Sequence, residues 1–296
     1  MYRSEQPYLR KIREYIIESC IRLSGLLVIV FVFLIFLFLL KDSLSLFGIY
    51  PIGKFLFSKH WLPVSEPPTF GMVPLLLGSI YVTAGAIIIC VPAGVISAMF
   101  IAEIAPKHLK HILKSLIEIL AAIPSVVLGF IGIVWLGPFL KNIFNLNTGM
   151  CGLTGSLLLA FMALPTIISI SEDALTGVPK SFKEAAFGLG ATRWQTLWRI
   201  VVPSASSGII AAIMLGIGRV IGETMVVMMV TGNAPVMPTS ILQPLRTLTA
   251  TIAGEMGETV RGSDHYFALF AVGLILFAIT FIINFFADFF LRRARK

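Results

Sequence analysis

Inside a long apolar run of this 296-residue chain, Arg219 and Glu223 lie four positions apart. That spacing puts two side chains one turn apart on the same helix face. A guanidinium matches a tetrahedral oxyanion through paired N–H donors, and a carboxylate one turn away would hold it in place when no anion is present. The same two residues would also serve as a structural ion pair locking helices together, because each charge offsets the cost of the other in an apolar setting. Thr224 follows directly, and Gly216, Gly218 and Gly222 share the stretch, small enough for a neighbouring helix to come close. A second feature imitates nucleotide chemistry. Gly48, Gly53 and Lys54 match the start of a phosphate-binding loop, but Phe55 stands where a hydroxyl must bind magnesium and no strand signal precedes it. The chain is therefore not expected to hydrolyse ATP.

The elements that would position Arg219 are set by composition. Hydrophobic residues make up 57% and charged residues only 13%, against about a quarter charged in soluble domains. The natural solvent for such a surface is lipid. Crossing a hydrocarbon core of roughly 30 Å takes about 20 mainly apolar helical residues. Runs of that kind extend from about Leu23 to Leu40, Met72 to Ile101, Leu116 to Leu140, Leu153 to Ser171, Pro203 to Val230 and Tyr266 to Leu291. The prediction is an all-α membrane protein with six transmembrane helices, with Pro92, Pro124 and Pro165 kinking three of them. The first run is too long and its basic leader too extended for a secretory signal, so it is expected to be kept as a span. Residues 41–71 should form an extracytoplasmic loop with interfacial aromatics, Trp61 among them.

Basic residues cluster on alternate sides of these runs. Arg3, Arg10, Lys11, Arg13 and Arg22 precede the first span, while Lys107, Lys110 and Lys114 lie between the second and third. Lys180, Lys183, Arg193 and Arg199 lie between the fourth and fifth, and Arg292, Arg293, Arg295 and Lys296 close the chain. The opposite loops hold only Lys41, Lys54, Lys59, Lys141, Arg246 and Arg261. The bias places both termini in the cytoplasm, and it explains the net charge of +8 without a nucleic-acid partner. Cys20, Cys90 and Cys151 form no CxxC pattern and are expected to pack as small apolar groups. Intramembrane hydrolysis would need paired aspartates, a Ser–His pair or a metal cluster within the spans. The histidines His60, His108, His111 and His265 all fall in loops or at span edges.

The cytoplasmic stretch from Val178 to Pro203 is the most organised outside the spans. Pro179 can open a short helix, Gly190 can close it in the left-handed conformation, and Thr192 can cap a second helix. In that second helix Trp194, Leu197, Trp198 and Val201 share a face. The face suits the inner membrane surface, with the indoles at headgroup level. Glu184-Ala185-Ala186, then Gly190, then Ile200, Val202 and Pro203 resemble the EAA loop of binding-protein-dependent ABC importer permeases; Val202 replaces the usual Leu. The resemblance implies a type I importer fold in which Glu184, Ala185, Ala186 and Gly190 belong to a coupling helix that docks on a separate ATPase.

Two further stretches narrow the family. Ala121-Ala122-Ile123-Pro124-Ser125-Val126-Val127 and Gly218-Arg219 through Gly222-Glu223-Thr224-Met225, followed by Thr231-Gly232-Asn233, resemble phosphate ABC transporter permeases. Met225 suits the PstC-type subunit better than its PstA-type partner. Trp61, Phe70-Gly71, Pro74 and Ala268-Leu269-Phe270 fit the same family. This resemblance implies a bacterial plasma-membrane subunit that forms half of a heterodimeric pathway and works by alternating access, with Arg219, Glu223 and Thr224 along the substrate route. Its implied partners are an ATPase dimer holding ATP and magnesium, a PstA-type permease, and an extracytoplasmic phosphate-binding protein. The EAA loop itself does not separate phosphate from molybdate or sulfate. The expected organisation is residues 1–71 as tail, first helix and outer loop, 72–291 as permease domain, and 292–296 as a basic cytoplasmic tail.

Overall fold

The computed structural model describes the backbone of residues 7–294, with side chains over 13–286 and at 289. Arg3, Arg295 and Lys296 of the predicted basic tails lie outside the described residues, and Arg10, Lys11, Arg292 and Arg293 are described in backbone alone. In chain order, α1 spans Pro7–Phe47 and α2 spans Ile52–Phe57. A two-stranded antiparallel ribbon follows, β1 (Trp61–Leu62) against β2 (Thr69–Phe70). Next comes α3 (Val73–Met99), which runs on through a π-helical turn, Phe100–Ile104, and then α4 (Lys107–Ala121). α5 (Ser125–Ile131) and α6 (Gly137–Phe144) are joined by a second π-helical turn, and α7 covers Gly152–Thr176. The next three helices are short: α8 (Lys180–Gly188), α9 (Arg193–Thr196) and α10 (Val202–Ser204). α11 (Ser206–Gly222), α12 (Met225–Val230), α13 (Leu248–Glu255) and α14 (Asp264–Ala294) complete the chain.

Among the described residues five helices are long and apolar enough to cross a membrane, and a sixth span is formed if the bent pair Arg193–Ser204 and Ser206–Gly222, which turns through 69°, crosses as one. The expected six-span count holds, but two spans differ from the sequence reading. The third begins at Ser125 rather than Leu116, because Pro124 donates no N–H and disfavours helix just before it. The residues ahead of it form α4, whose Ile117 is buried against the bundle while Ile112, Leu116 and Ile119 are exposed. The fifth is broken rather than continuous: it bends at Ala205 and opens again at Glu223. Pro92 and Pro165 sit inside the unbroken helices α3 and α7.

α3 and α7 form the axis of the bundle, with Val82, Ala86 and Cys90 buried against Leu159, Ala163 and Ile167. Small residues permit this approach. A Cβ on Gly94 would meet Ile167 at 2.7 Å, and one on Gly85 would meet the Ser156 hydroxyl at 2.5 Å. Cys90 and Cys151 pack as expected, but Cys20 is exposed on α1, which touches the bundle mainly through α14, with ring contacts Phe36–Phe277 and Phe38–Phe270.

Residues 41–71 are not the open loop expected from their prolines. Phe55, Trp61 and Phe70 are fully buried, in one cluster with Leu46, Leu75, Leu248 and Leu269. Trp61 is thus a core residue and not an interfacial one. The Gly48–Lys54 stretch enters α2, and Phe55 anchors that helix in the same core. This cap packs on the end of the bundle where α3, α13 and α14 begin. The chain after α12 lies across that end so closely that a Cβ on Gly78 would fall 2.2 Å from the Arg246 carbonyl oxygen.

Candidate functional site

The break in the fifth span is built from backbone needs. α11 stops at Gly222, and Glu223 is extended with φ −69° and ψ 130°. In an apolar setting freed backbone groups need partners, and here several are supplied, some by neighbours and one from a distant element. The Glu223 carboxylate accepts from the amides of Met225 (3.1 Å) and Val226 (3.3 Å), opening α12. Its carbonyl accepts from the Thr249 hydroxyl at 3.0 Å. Thr224 donates to the Gly222 carbonyl at 3.2 Å. Ser79, Thr83, Thr247 and Thr249 face Glu223 around a cavity of about 10 Å³, room for roughly one water.

The expected ion pair is therefore not formed. The chain leaves the helix before Glu223, so four-residue spacing no longer stacks it on Arg219, and its carboxylate is committed to amides. Arg219 instead donates to Thr166 of α7 at 3.2 Å. Among the described residues no carboxylate lies within ion-pair distance of it. A lone cation facing hydrocarbon costs at least ~2.5–3.5 kcal/mol, so this face belongs against water or another protein. Leu215, Arg219 and Gly222 are all exposed on it, and a Cβ on Gly218 or Gly222 would meet nothing within 4 Å. Gly216 is different: it packs against Ile167 within the chain.

The opposite end of the bundle carries the EAA residues. Gly190 adopts φ +82°, the left-handed position that lets α8 end and the chain reverse. Thr192 caps α9 in a reciprocal box with Gln195. Ala186 is buried, whereas Glu184 and Ala185 are exposed between Phe182 and Phe187, each about half exposed. The predicted single face of the second helix divides in two. Leu197 and Val201 pack in a core with Leu175 and Ile209, while Trp194 and Trp198 stay outside in edge-to-face contact, 5.7 Å between centroids.

Sequence reasoning missed three polar clusters whose members are distant in the chain. At the capped end Glu255 accepts from Trp61 Nε1 at 3.0 Å, faces His265 Nε2 at 2.8 Å and pairs with Arg246. At the α8 end Glu172, only 3% exposed, pairs with Lys110 and Lys114, and Lys114 also reaches Asp173. The hydrogen bonds it donates to Glu172 and Asp173 raise the Lys114 ammonium above its ordinary pKa. The third is the ion pair of Lys183 with Glu103. A carboxylate directly at the end of an apolar run, as at Glu172, is the one signal that would have drawn attention. Glu255→Leu should strand an indole N–H, a guanidinium and an imidazole at once. The expected cost is about 2–4 kcal/mol, read as a lower melting temperature of the purified protein. An unchanged melting temperature would remove Glu255 as a stabilising node.

Residues 90–296 match the model of the binding-protein-dependent transport system inner membrane component family. The chain is 42% identical to a probable ABC transporter permease protein, YqgH, of Bacillus subtilis, covering 79% of this chain and 76% of that one. It is 39% identical to the phosphate transport system permease protein PstC of Mesorhizobium japonicum, covering 85% and 81%. Among solved structures, a chain of a bacterial alginate ABC transporter, determined with its pentasaccharide-bound periplasmic protein, superposes with a TM-score of 0.67. That match covers 99% of both chains at 13% identity, a likeness of fold.

Proposed function

Because this chain belongs to the binding-protein-dependent transport system inner membrane component family, we propose that it is the membrane-spanning permease subunit of an ATP-driven phosphate importer. It is a non-catalytic, multi-pass subunit, and ATP with its magnesium is bound by partner ATPases. The similarity to phosphate transport permeases over most of the chain carries the choice of phosphate. Arg219, one turn before a helix break and without an ion-pair partner among the described residues, supports it as a cation available to an oxyanion.

In this reading the α8 end faces the cytoplasm of a bacterial cell, in keeping with the Lys and Arg bias. A second, PstA-type permease covers the Leu215–Arg219–Gly222 face, so that Arg219 and Thr224 line a path between the two subunits. An extracytoplasmic phosphate-binding protein delivers its load at the capped end. An ATPase dimer docks on Glu184 and Ala185, and its closure opens the path outward. Glu223 acts by holding the break open in shape: its carboxylate fixes α12 and leaves the guanidinium free.

The assembled importer in liposomes, given binding protein and internal ATP, should accumulate labelled phosphate and leave labelled sulfate and molybdate outside. Accumulation of either of those anions in place of phosphate would refute the substrate assignment while leaving the permease role intact.

A further inference from the structure

α8 joins the rest of the chain through two short connections, Gly177–Pro179 on one side and Leu189–Thr192 on the other. Neither is helical, and the second contains the left-handed Gly190. Such joints, with Ala186 packed beneath the helix, let α8 move with its hairpin relative to the spans. Among the described residues, one ion pair ties α8 to a distant element: Lys183 with Glu103, 80 positions earlier. The two side chains are 22% and 20% exposed, so solvent screens them less than an open surface pair. Lys183 is part-buried while its neighbour Glu184 is exposed, so one short helix turns a cation toward the bundle and leaves a carboxylate accessible.

Glu103 sits in the π-helical turn Phe100–Ile104 that ends α3. From Val73 onward that helix has no break, a rod of roughly 45 Å at 1.5 Å per residue. Its far half carries Ser79 and Thr83, which line the cavity beside Glu223. Between those points it packs along α7 with interlocked small residues, a contact that shifts as a unit rather than bending.

We propose that Lys183 and Glu103 form the positioning contact by which a displacement of α8 pulls on α3, and through α3 reaches the hydroxyl-lined cavity at the break in the fifth span. This rests on the reading of α8 as the ATPase-docking helix. The covalent route through α9 and α11 reaches Arg219 from the other side; the ion pair lets one movement act on both walls of the path. The Lys110–Lys114–Glu172 cluster lies at the same end but bonds no residue of α8, so it fastens α4 to α7 independently.

The test uses the complete importer with its ATPases, second permease and binding protein. Lys183→Glu and Glu103→Lys should each lower phosphate moved per ATP hydrolysed by about fivefold or more, the lower range of coupling between distant sites, with ATPase copurification unchanged. Combining the two reversals should restore most of the ratio. Full coupling in either single variant, or no recovery in the double, overturns the proposal. Should a reversal block assembly, Lys183→Gln and Glu103→Gln remove the attraction without adding repulsion and are read in the same way. Glu184→Lys separates the two layers of the argument. ATPases that stay attached after that change refute docking on α8 itself. Detachment there, with normal coupling in the ion-pair variants, refutes only the transmission role.

Discussion

Arg219→Gln is expected to lower phosphate uptake roughly 10- to 100-fold while the subunit still assembles with its partners. The magnitude follows from losing charge-assisted hydrogen bonds to the anion, about 1.5–3 kcal/mol, at 1.4 kcal/mol per decade. Assembly should survive because, among the described residues, the guanidinium bonds only the Thr166 hydroxyl, and a glutamine amide can still donate there. Arg219→Lys should fall between, keeping the charge but losing the planar fork. Glu223→Gln separates shape from charge. An amide oxygen can still accept from Met225 and Val226 as the carboxylate does, so the break should persist and uptake should change less than in Arg219→Gln. Labelled uptake and copurification, measured on the same preparations, check both expectations. Normal uptake by Arg219→Gln would remove it from the pathway, and loss of uptake only together with loss of assembly would make it a structural residue.

The second large effect is at α8. Ala185→Trp should reduce copurification of the ATPase subunit by roughly tenfold or more, because overpacking a close-fitting surface costs about 1–3 kcal/mol and the centre of an interface carries most of its energy. Ala185 is exposed in the lone chain, so a tryptophan there has room, and the permease itself should fold normally. Ala186 would be a poor choice for this test. It is buried beneath the helix, and enlarging it would disturb the hairpin before any partner arrived. ATPases recovered in full with Ala185→Trp, together with unimpaired uptake, would show that this face is not the docking surface.

Much of this was readable from residue order because it is local. Apolar run length gave the six spans. Single residues gave the α8 hairpin: Gly190 takes the left-handed turn and Thr192 the cap, both within a few positions of what they shape. The Arg219–Glu223 pair shows where such reading stops. Four-residue spacing implies contact only while the helix continues, and whether it continues past Gly222 depends on Thr249, which meets the freed Glu223 carbonyl from 26 positions away. Trp61 misled in the same way: proline-rich flanks suggested a loose loop, yet Glu255, 194 positions later, takes its indole N–H into a buried cluster.

Lipid solubility, the number of crossings and a capped helical hairpin between the fourth and fifth spans were thus determined by the order of residues alone, since each depends on chain lengths of a few turns. Tertiary structure alone decided that Arg219 bonds Thr166 rather than Glu223, that residues 41–71 form a packed cap, and that Lys183 reaches Glu103. Each of those depends on which distant groups arrive to satisfy a charge or a freed backbone atom away from water, and sequence spacing does not contain that information.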